Sequence, residues 1–207
     1  MVKILVTAFE PYDVWRENAS WLVLMEYLRT RPTDPRITTR RYPVDFEQLK
    51  SRLRQDLEKG FDVVLHLGQA PGSTHIRLEA LAVNVAGRVE NSGADLPPLI
   101  SGGTVAYRSH LPLAYWSQHL QQLGIPAQIS YHAGTYLCNA AMYLSHAWQH
   151  ELGRPDAVGF VHLPLLPGQV TEDGRGMPSM SLQMQAQALE WILHELLSEN
   201  ATSGRFA

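Results

Sequence analysis

The chain has a single cysteine, Cys138, so no intrachain disulfide can staple it and a reducing compartment suits it. It lacks any uninterrupted run of about 18 apolar residues, the least a membrane helix needs, which excludes a spanning segment of that kind. The opening MVKILVTAFEP is broken by Lys3 and closed by Glu10. That is too short for the apolar region of a secretory signal, and no small-residue cleavage site follows. A cytoplasmic location is the expectation. Charge is sparse as well: 18% of residues are Asp, Glu, Lys or Arg, the net charge is -3, and no run of like charge occurs. This composition offers no basic face to nucleic acid or to an anionic membrane. No Gly-x-Gly-x-x-Gly or P-loop follows a strand-like segment, so a nucleotide-binding turn is not indicated. Internal repeats, low-complexity tracts and composition shifts are missing too, and the 207 residues fit one domain, 1–207, whose last ten or so residues read as a frayed tail.

What is present is an alternation of short apolar runs with amphipathic ones. This pattern belongs to an α/β fold with a largely parallel sheet. Strands are expected at KILVTAF (3–9), ITTRRYPV (37–44), DVVLHLG (62–68), IRLEALAVN (76–84), AQIS (127–130) and AVGFVHLP (157–164). Helices are expected between them. Asn18 or Ser20 is placed to cap WLVLMEYLR, and Asp45 to cap FEQLKSRLRQDLEK, which Gly60 closes. Pro112 suits a first helical turn with Gly124 as the stop, a further helix should start near Thr135, and Ser179 or Ser181 should cap the last. Residues 85–103 and 165–178, rich in Gly, Pro and polar groups, read as long loops that rim a site.

Cys138 lies in ISYHAGTYLCNAAMY, where a strand-like segment turns through Ala133 and Gly134 into a helix-like one. A helix N-terminus stabilises a thiolate, which makes Cys138 a candidate nucleophile, although an unpaired cysteine is also at home as a small buried hydrophobe. Open α/β sheets bind ligands beyond the carboxyl ends of their strands. FEPY (9–12), GQAPG (68–72), Cys138 after AQIS, and His162 at the end of AVGFVHLP are expected to meet on that edge. A thiolate nucleophile needs a base that later returns a proton, a role for His162, and a third polar group to orient the imidazole. Glu79 is a candidate for that group, its alternative being a solvated carboxylate on an exposed strand face. His146 and His150 share the spacing of a zinc pair, but residue 147 is Ala and not the Glu of that motif, so no metal is expected.

Several segments together resemble the pyroglutamyl peptidase I family, the pyrrolidone-carboxylate peptidases. Gly68-Gln69-Ala70-Pro71-Gly72 with Ile76, Glu79 and Ala82-Val83-Asn84 is similar to that family's glutamate signature. Ser130, Ala133-Gly134 and Tyr136-Leu137-Cys138-Asn139 resemble its cysteine signature, FVHLPLLPGQ its histidine segment, and TAFEPY its opening strand and turn. The closing Pro178-Ser179-Met180-Ser181-Leu182 fits too, so the likeness spans nearly the whole chain.

The resemblance implies a three-layer α/β/α fold, a homo-oligomer (tetramer or dimer), and cysteine-peptidase hydrolysis of peptides that begin with pyroglutamate, without a cofactor. It implies Cys138 as nucleophile, His162 as acid and base, Glu79 as the orienting carboxylate, and Arg88 as an oxyanion donor beside the backbone N–H groups near Cys138. A pyroglutamyl ring is small, flat and uncharged, and an apolar slot that accepts it penalises an ordinary ammonium terminus. Phe9 and Tyr12 are the expected walls, with Tyr136 and Leu137 near the nucleophile and the backbone of Gln69 on the lactam. Four positions depart from the family pattern: Asp13-Val14 replace a Gly-Gly pair, Ser73 replaces an arginine, and His132 a small residue. These departures leave open a paralogue that binds capped N-termini without turning them over. A redox sensor built on Cys138 is disfavoured by the lack of a resolving cysteine.

Overall fold

In the computed structural model of the chain, residues 2–30, 34–88, 95–154 and 157–198 are described. The first strand, β1 (Ile4–Phe9), is buried along its length, and its side chains alternate between two cores. Ile4, Val6 and Ala8 join one apolar cluster; Leu5 and Phe9 join the other. The remaining elements follow as α1 (Ala19–Thr30), β2 (Ile37–Tyr42), α2 (Phe46–Glu58), β3 (Val63–Gln69), β4 (Ile76–Glu79), β5 (Leu81–Val83), β6 (Ala106–Arg108), α3 (Leu113–Gln122), β7 (Ala127–Ser130), α4 (Leu137–Glu151), β8 (Ala157–Leu163), α5 (Pro167–Asp173) and α6 (Leu182–Leu197). Helices α1, α3 and α6 bury their apolar stripes on one face of the sheet, and α2 and α4 on the other, giving three layers. Among the described residues no helix is long and apolar enough to cross a membrane.

The sheet runs β2-β1-β3-β8-β4-β7. β2, β1, β3 and β8 are mutually parallel, whereas β4 runs antiparallel to β8 and carries β7 parallel to itself. The sheet is therefore mainly parallel, but the expectation that Cys138 follows a strand parallel to those leading to FEPY, GQAPG and His162 needs correction, because β7 runs parallel to β4 and so against β8. Glu79 enters from a reversed strand, with Arg77 opposite His162 and Glu79 opposite Phe160.

The expected strand over 76–84 is two strands. The Ala80 N–H donates to Ser130 O at 2.7 Å while its carbonyl accepts from Ser109 N at 3.0 Å, so the chain leaves the main sheet there. β5 then pairs with β6, which the sequence reading did not anticipate, in a separate antiparallel ribbon. The expected loop 165–178 contains α5, begun by Pro167 and stopped by Gly174 at φ 68°. Pro at the start and Gly just past the end are themselves helix punctuation, and a loop reading mistook them. The helix expected near Thr135 begins two residues later. Within the expected rim 85–103, residues 89–94 lie outside the described residues, as does the expected tail from 199 onward.

Caps act where the residue types suggested them. Ser181 Oγ accepts from Met184 N at 3.2 Å at the start of α6. Asp45 Oδ1 accepts from Gln48 N at 2.9 Å, and Leu49, Leu53 and Leu57 then bury one face of α2. Asp45→Ala is expected to lower the unfolding free energy by about 1 kcal/mol, and Asp45→Ser to keep most of it, as read from denaturant midpoints.

Candidate active site

The sheet makes its own crevice. The ladder between β1 and β3 stops at Thr7 opposite His66, yet β1 stays paired with β2 to Phe9 and Tyr42, and β3 with β8 to Gln69 and Leu163. β1 and β3 therefore splay at their carboxyl ends, at the point where the strand order reverses, the usual ligand position in open α/β sheets. A pocket of about 640 Å³ opens there, lined among others by Phe9, Tyr12, Gln69, Arg88, Tyr136, Leu137 and Cys138. The Ala70 N–H donates to Leu163 O on the β8 side, so strand alternation turns the Gln69 N–H and carbonyl toward the crevice.

Cys138 sits in the first turn of α4, half-buried and facing the pocket. The chain reaches it through Gly134 at φ 81°, a left-handed turn that a side chain would strain. Tyr136, at the cap position, provides no side-chain bond to the helix start, which leaves the first-turn N–H groups unclaimed by a cap. Asn139 locks the turn in place. Its Oδ1 accepts from Val83 N at 2.8 Å, and its Nδ2 donates to Val83 O at 2.8 Å and Val85 O at 3.1 Å.

Beneath the pocket floor, His162 Nδ1 donates to Glu79 Oε1 at 2.8 Å. Glu79 has no solvent exposure, so the solvated alternative does not hold. Because Nδ1 is taken, Nε2 is the nitrogen left for the Cys138 sulfur, whose charge acts on His162. Burial disfavours the imidazolium, but the charge and hydrogen bond of Cys138, and then those of Glu79, outweigh it and raise His162 to about 9. Burial likewise pushes the Glu79 carboxyl up, and His162, Ser130 and Arg77 more than reverse it, leaving it below the usual carboxylate range. The ring of His162 lies 4.6 Å from that of Phe160. Both rings fit only because Gly68 lacks a Cβ, which would stand 2.6 Å from Phe160 and 3.1 Å from His162.

All nine sequence-derived candidates thus lie in one neighbourhood: seven line the pocket, and His162 and Glu79 lie beneath it. Arg88 sits 4.5 Å over the Tyr136 ring, whose edge meets Phe46 at 5.2 Å. Trp15 and Val44 also line the pocket and were not foreseen, whereas Arg175 and Met177 reach it from the 165–178 segment expected at its rim. Val44 follows β2, and only the strand order puts that exit beside the exit of β1. The role of Asn139 had a sequence signal, since it adjoins Cys138 in the same motif. His146 and His150 do not form a pair: His146 is buried and stacks on Tyr107 at 5.5 Å, while His150 is exposed.

The departures are accommodated. Asp13 takes φ 54°, the left-handed conformation natural to a glycine and tolerated by Asp. Ser73 is buried, donates to His75 O at 2.7 Å and accepts from Arg77 Nε at 3.2 Å. His132 Nδ1 accepts from Gly134 N at 3.0 Å, a bond that helps shape the turn before Cys138.

The family model described as "Pyroglutamyl peptidase" matches residues 2–198. A pyrrolidone-carboxylate peptidase of Pyrococcus furiosus is 35% identical over 206 residues, covering 96% of this chain and 99% of its own. Two solved structures are similar throughout. The pyrrolidone carboxyl peptidase of Thermococcus litoralis has a TM-score of 0.85 at 29% identity, covering 98% of this chain and 96% of its own. That of Fervidobacterium islandicum has 0.84 at 32%, covering 95% and 98%.

Gly68→Ala is expected to push Phe160 and His162 off their positions, costing about 1–3 kcal/mol of stability. Denaturant unfolding measures that loss, and slower alkylation of Cys138 by iodoacetamide should accompany it.

Proposed function

The chain belongs to the pyroglutamyl peptidase family, and from that premise we propose that Cys138, His162 and Glu79 carry its reaction. The protein is a cysteine peptidase that hydrolyses the amide bond after an N-terminal pyroglutamyl residue. The observation that carries the residue assignment is the 2.8 Å contact of His162 Nδ1 with Glu79, which leaves the other ring nitrogen to Cys138.

The charge of the Cys138 sulfur helps to raise His162, so a thiolate at Cys138 favours the imidazolium beside it. Thiolate Cys138 attacks the carbonyl carbon joining pyroglutamate to the next residue, and the carbonyl oxygen becomes an oxyanion. The unclaimed N–H groups of the first α4 turn and the guanidinium of Arg88 are its donors. As the tetrahedral centre collapses, the C–N bond breaks and His162 gives its proton to the leaving amine. Water then adds to the thioester with His162 taking a proton, and Cys138 departs as thiolate.

Phe9, Tyr12, Tyr136 and Leu137 wall the ring, and the crevice-facing N–H and carbonyl of Gln69 are complementary to the lactam carbonyl and N–H. Burial and the nearby Cys138 charge push the Tyr12 hydroxyl well up, so it stays neutral and adds no charge to the slot. An ammonium placed there would have to give up much of its water. The substrates are peptides beginning with pyroglutamate, processed by one cytoplasmic domain that works as a homo-oligomer; the single thiol and the family likeness support this setting. A paralogue that binds without turnover is not favoured, since Asp13 keeps a glycine-like turn.

A pyroglutamyl chromogenic amide tests the reading. Cys138→Ala should abolish its hydrolysis with the fold intact by circular dichroism, and retained turnover would refute the nucleophile. Glu79→Gln should lower kcat by roughly a hundred- to ten-thousandfold, less than the loss of the thiol.

The pH dependence follows from the proton on His162. Turnover needs the imidazolium, so kcat/KM should fall on the alkaline side near the value of about 9 reached by His162. The Glu79 carboxylate raises that value, so Glu79→Gln must move the alkaline limb to lower pH. A limb that stays in place or moves up contradicts the assignment.

A further inference from the structure

Glu79 has no solvent exposure, and only one of its two oxygens is served by His162: Oε2 meets no donor at full hydrogen-bond geometry among the described residues, although the Ser130 hydroxyl is near enough to act on the carboxylate. A buried charged oxygen without a donor is costly, and it also leaves the carboxylate able to rotate away from the imidazole. The parallel ladder of β4 and β7 places Ser130 opposite Glu79, so both side chains leave the same face of the sheet on adjacent strands. Ser130 Oγ accepts the His132 N–H at 3.4 Å, which leaves its own hydrogen to donate.

We propose that Ser130 is a positioning residue for the peptidase reaction: its hydroxyl donates to Glu79 Oε2 and fixes the carboxylate so that Oε1 stays on His162 Nδ1. The electrostatics agree, because burial raises the Glu79 carboxyl and the Ser130 hydroxyl is among the groups that reverse the rise. The titratable and charged groups around this contact are Arg77 on β4 itself, His162 from β8, and Cys138 from α4 behind His162. Tyr12, from the loop after β1, feels the Cys138 charge, and β7 contributes the neutral Ser130 hydroxyl. Ser130 touches neither substrate nor sulfur; it acts through Glu79.

The proposal rests on the assignment of Cys138, His162 and Glu79. Alkylation of Cys138 by iodoacetamide needs no peptide, so it separates failure of this inference from failure of the peptidase assignment. In the unmodified sequence the rate should change with pH in a step near 9, the deprotonation of His162. Ser130→Ala should move that step down by about one pH unit, and Ser130→Thr, which keeps the hydroxyl, should return it. Hydrolysis of a pyroglutamyl amide by Ser130→Ala should show kcat about tenfold lower with KM little changed. In a Glu79→Gln background, Ser130→Ala should add no further shift. If Ser130→Ala does not fold, Ser130→Val, which has the shape of Ser130→Thr without its hydroxyl, should move the step the same way. A step unmoved in the folded Ala or Val variant, an equal shift in Ser130→Thr, or a further shift in the Glu79→Gln background would each overturn the role.

Discussion

A carboxylate sealed from solvent is tolerable in this interior because an imidazole meets it at 2.8 Å, and much of the local architecture follows from keeping those two groups together. Neither is at the pocket surface as Cys138 is. Glu79 comes from β4, which runs against β8, so the register of one antiparallel pair brings the carboxylate beside the ring. Alternation along β4 sends Ile76 and Leu78 into the core with α1, α3 and α6, which turns Glu79 to the α4 face, where the cysteine waits. Gly68 makes room for the ring, and Phe160 flanks it.

The partner on the other side is held with equal care. Three hydrogen bonds from Asn139 fasten the first turn of α4 to the β5 segment, which continues directly from β4. The sulfur and the carboxylate are thus anchored to the same stretch of chain, residues 76–85, and neither depends on a free loop for its position. Such anchoring keeps the proposed catalytic groups within the narrow geometric tolerance that catalysis demands. The pocket itself is a product of strand splay: where β1 and β3 part, Gln69 is left with unladdered polar groups in a slot walled by Phe9, Tyr12, Tyr136 and Leu137.

The departures from the family pattern show how a local rule is kept by different residues. Asp13 adopts the left-handed turn that glycine adopts freely, because a short polar side chain tolerates it. At Ser73, a buried hydroxyl is satisfied by its own turn and by Arg77 from the following strand. His132 uses its ring nitrogen to hold Gly134, so a larger side chain stabilises the turn it might have disturbed.

Local chemistry was legible in the sequence. Periodicity marked the strands and helices, Asp45 and Ser181 advertised their caps, and the strand-turn-helix around Cys138 identified a thiol at a helix start, since each of these depends on residues only a few positions apart. Long-range pairing was not legible. Nothing within IRLEALAVN reveals that its first half runs against β8, that it leaves the sheet at Ala80, or that Glu79 is fully enclosed, because these are settled by partners some 30 to 80 residues away. The sequence by itself determined which groups are capable of chemistry and which segments are strands or helices. The tertiary structure decided which of those groups meet, because strand direction and register are properties of pairs of segments and not of any one of them.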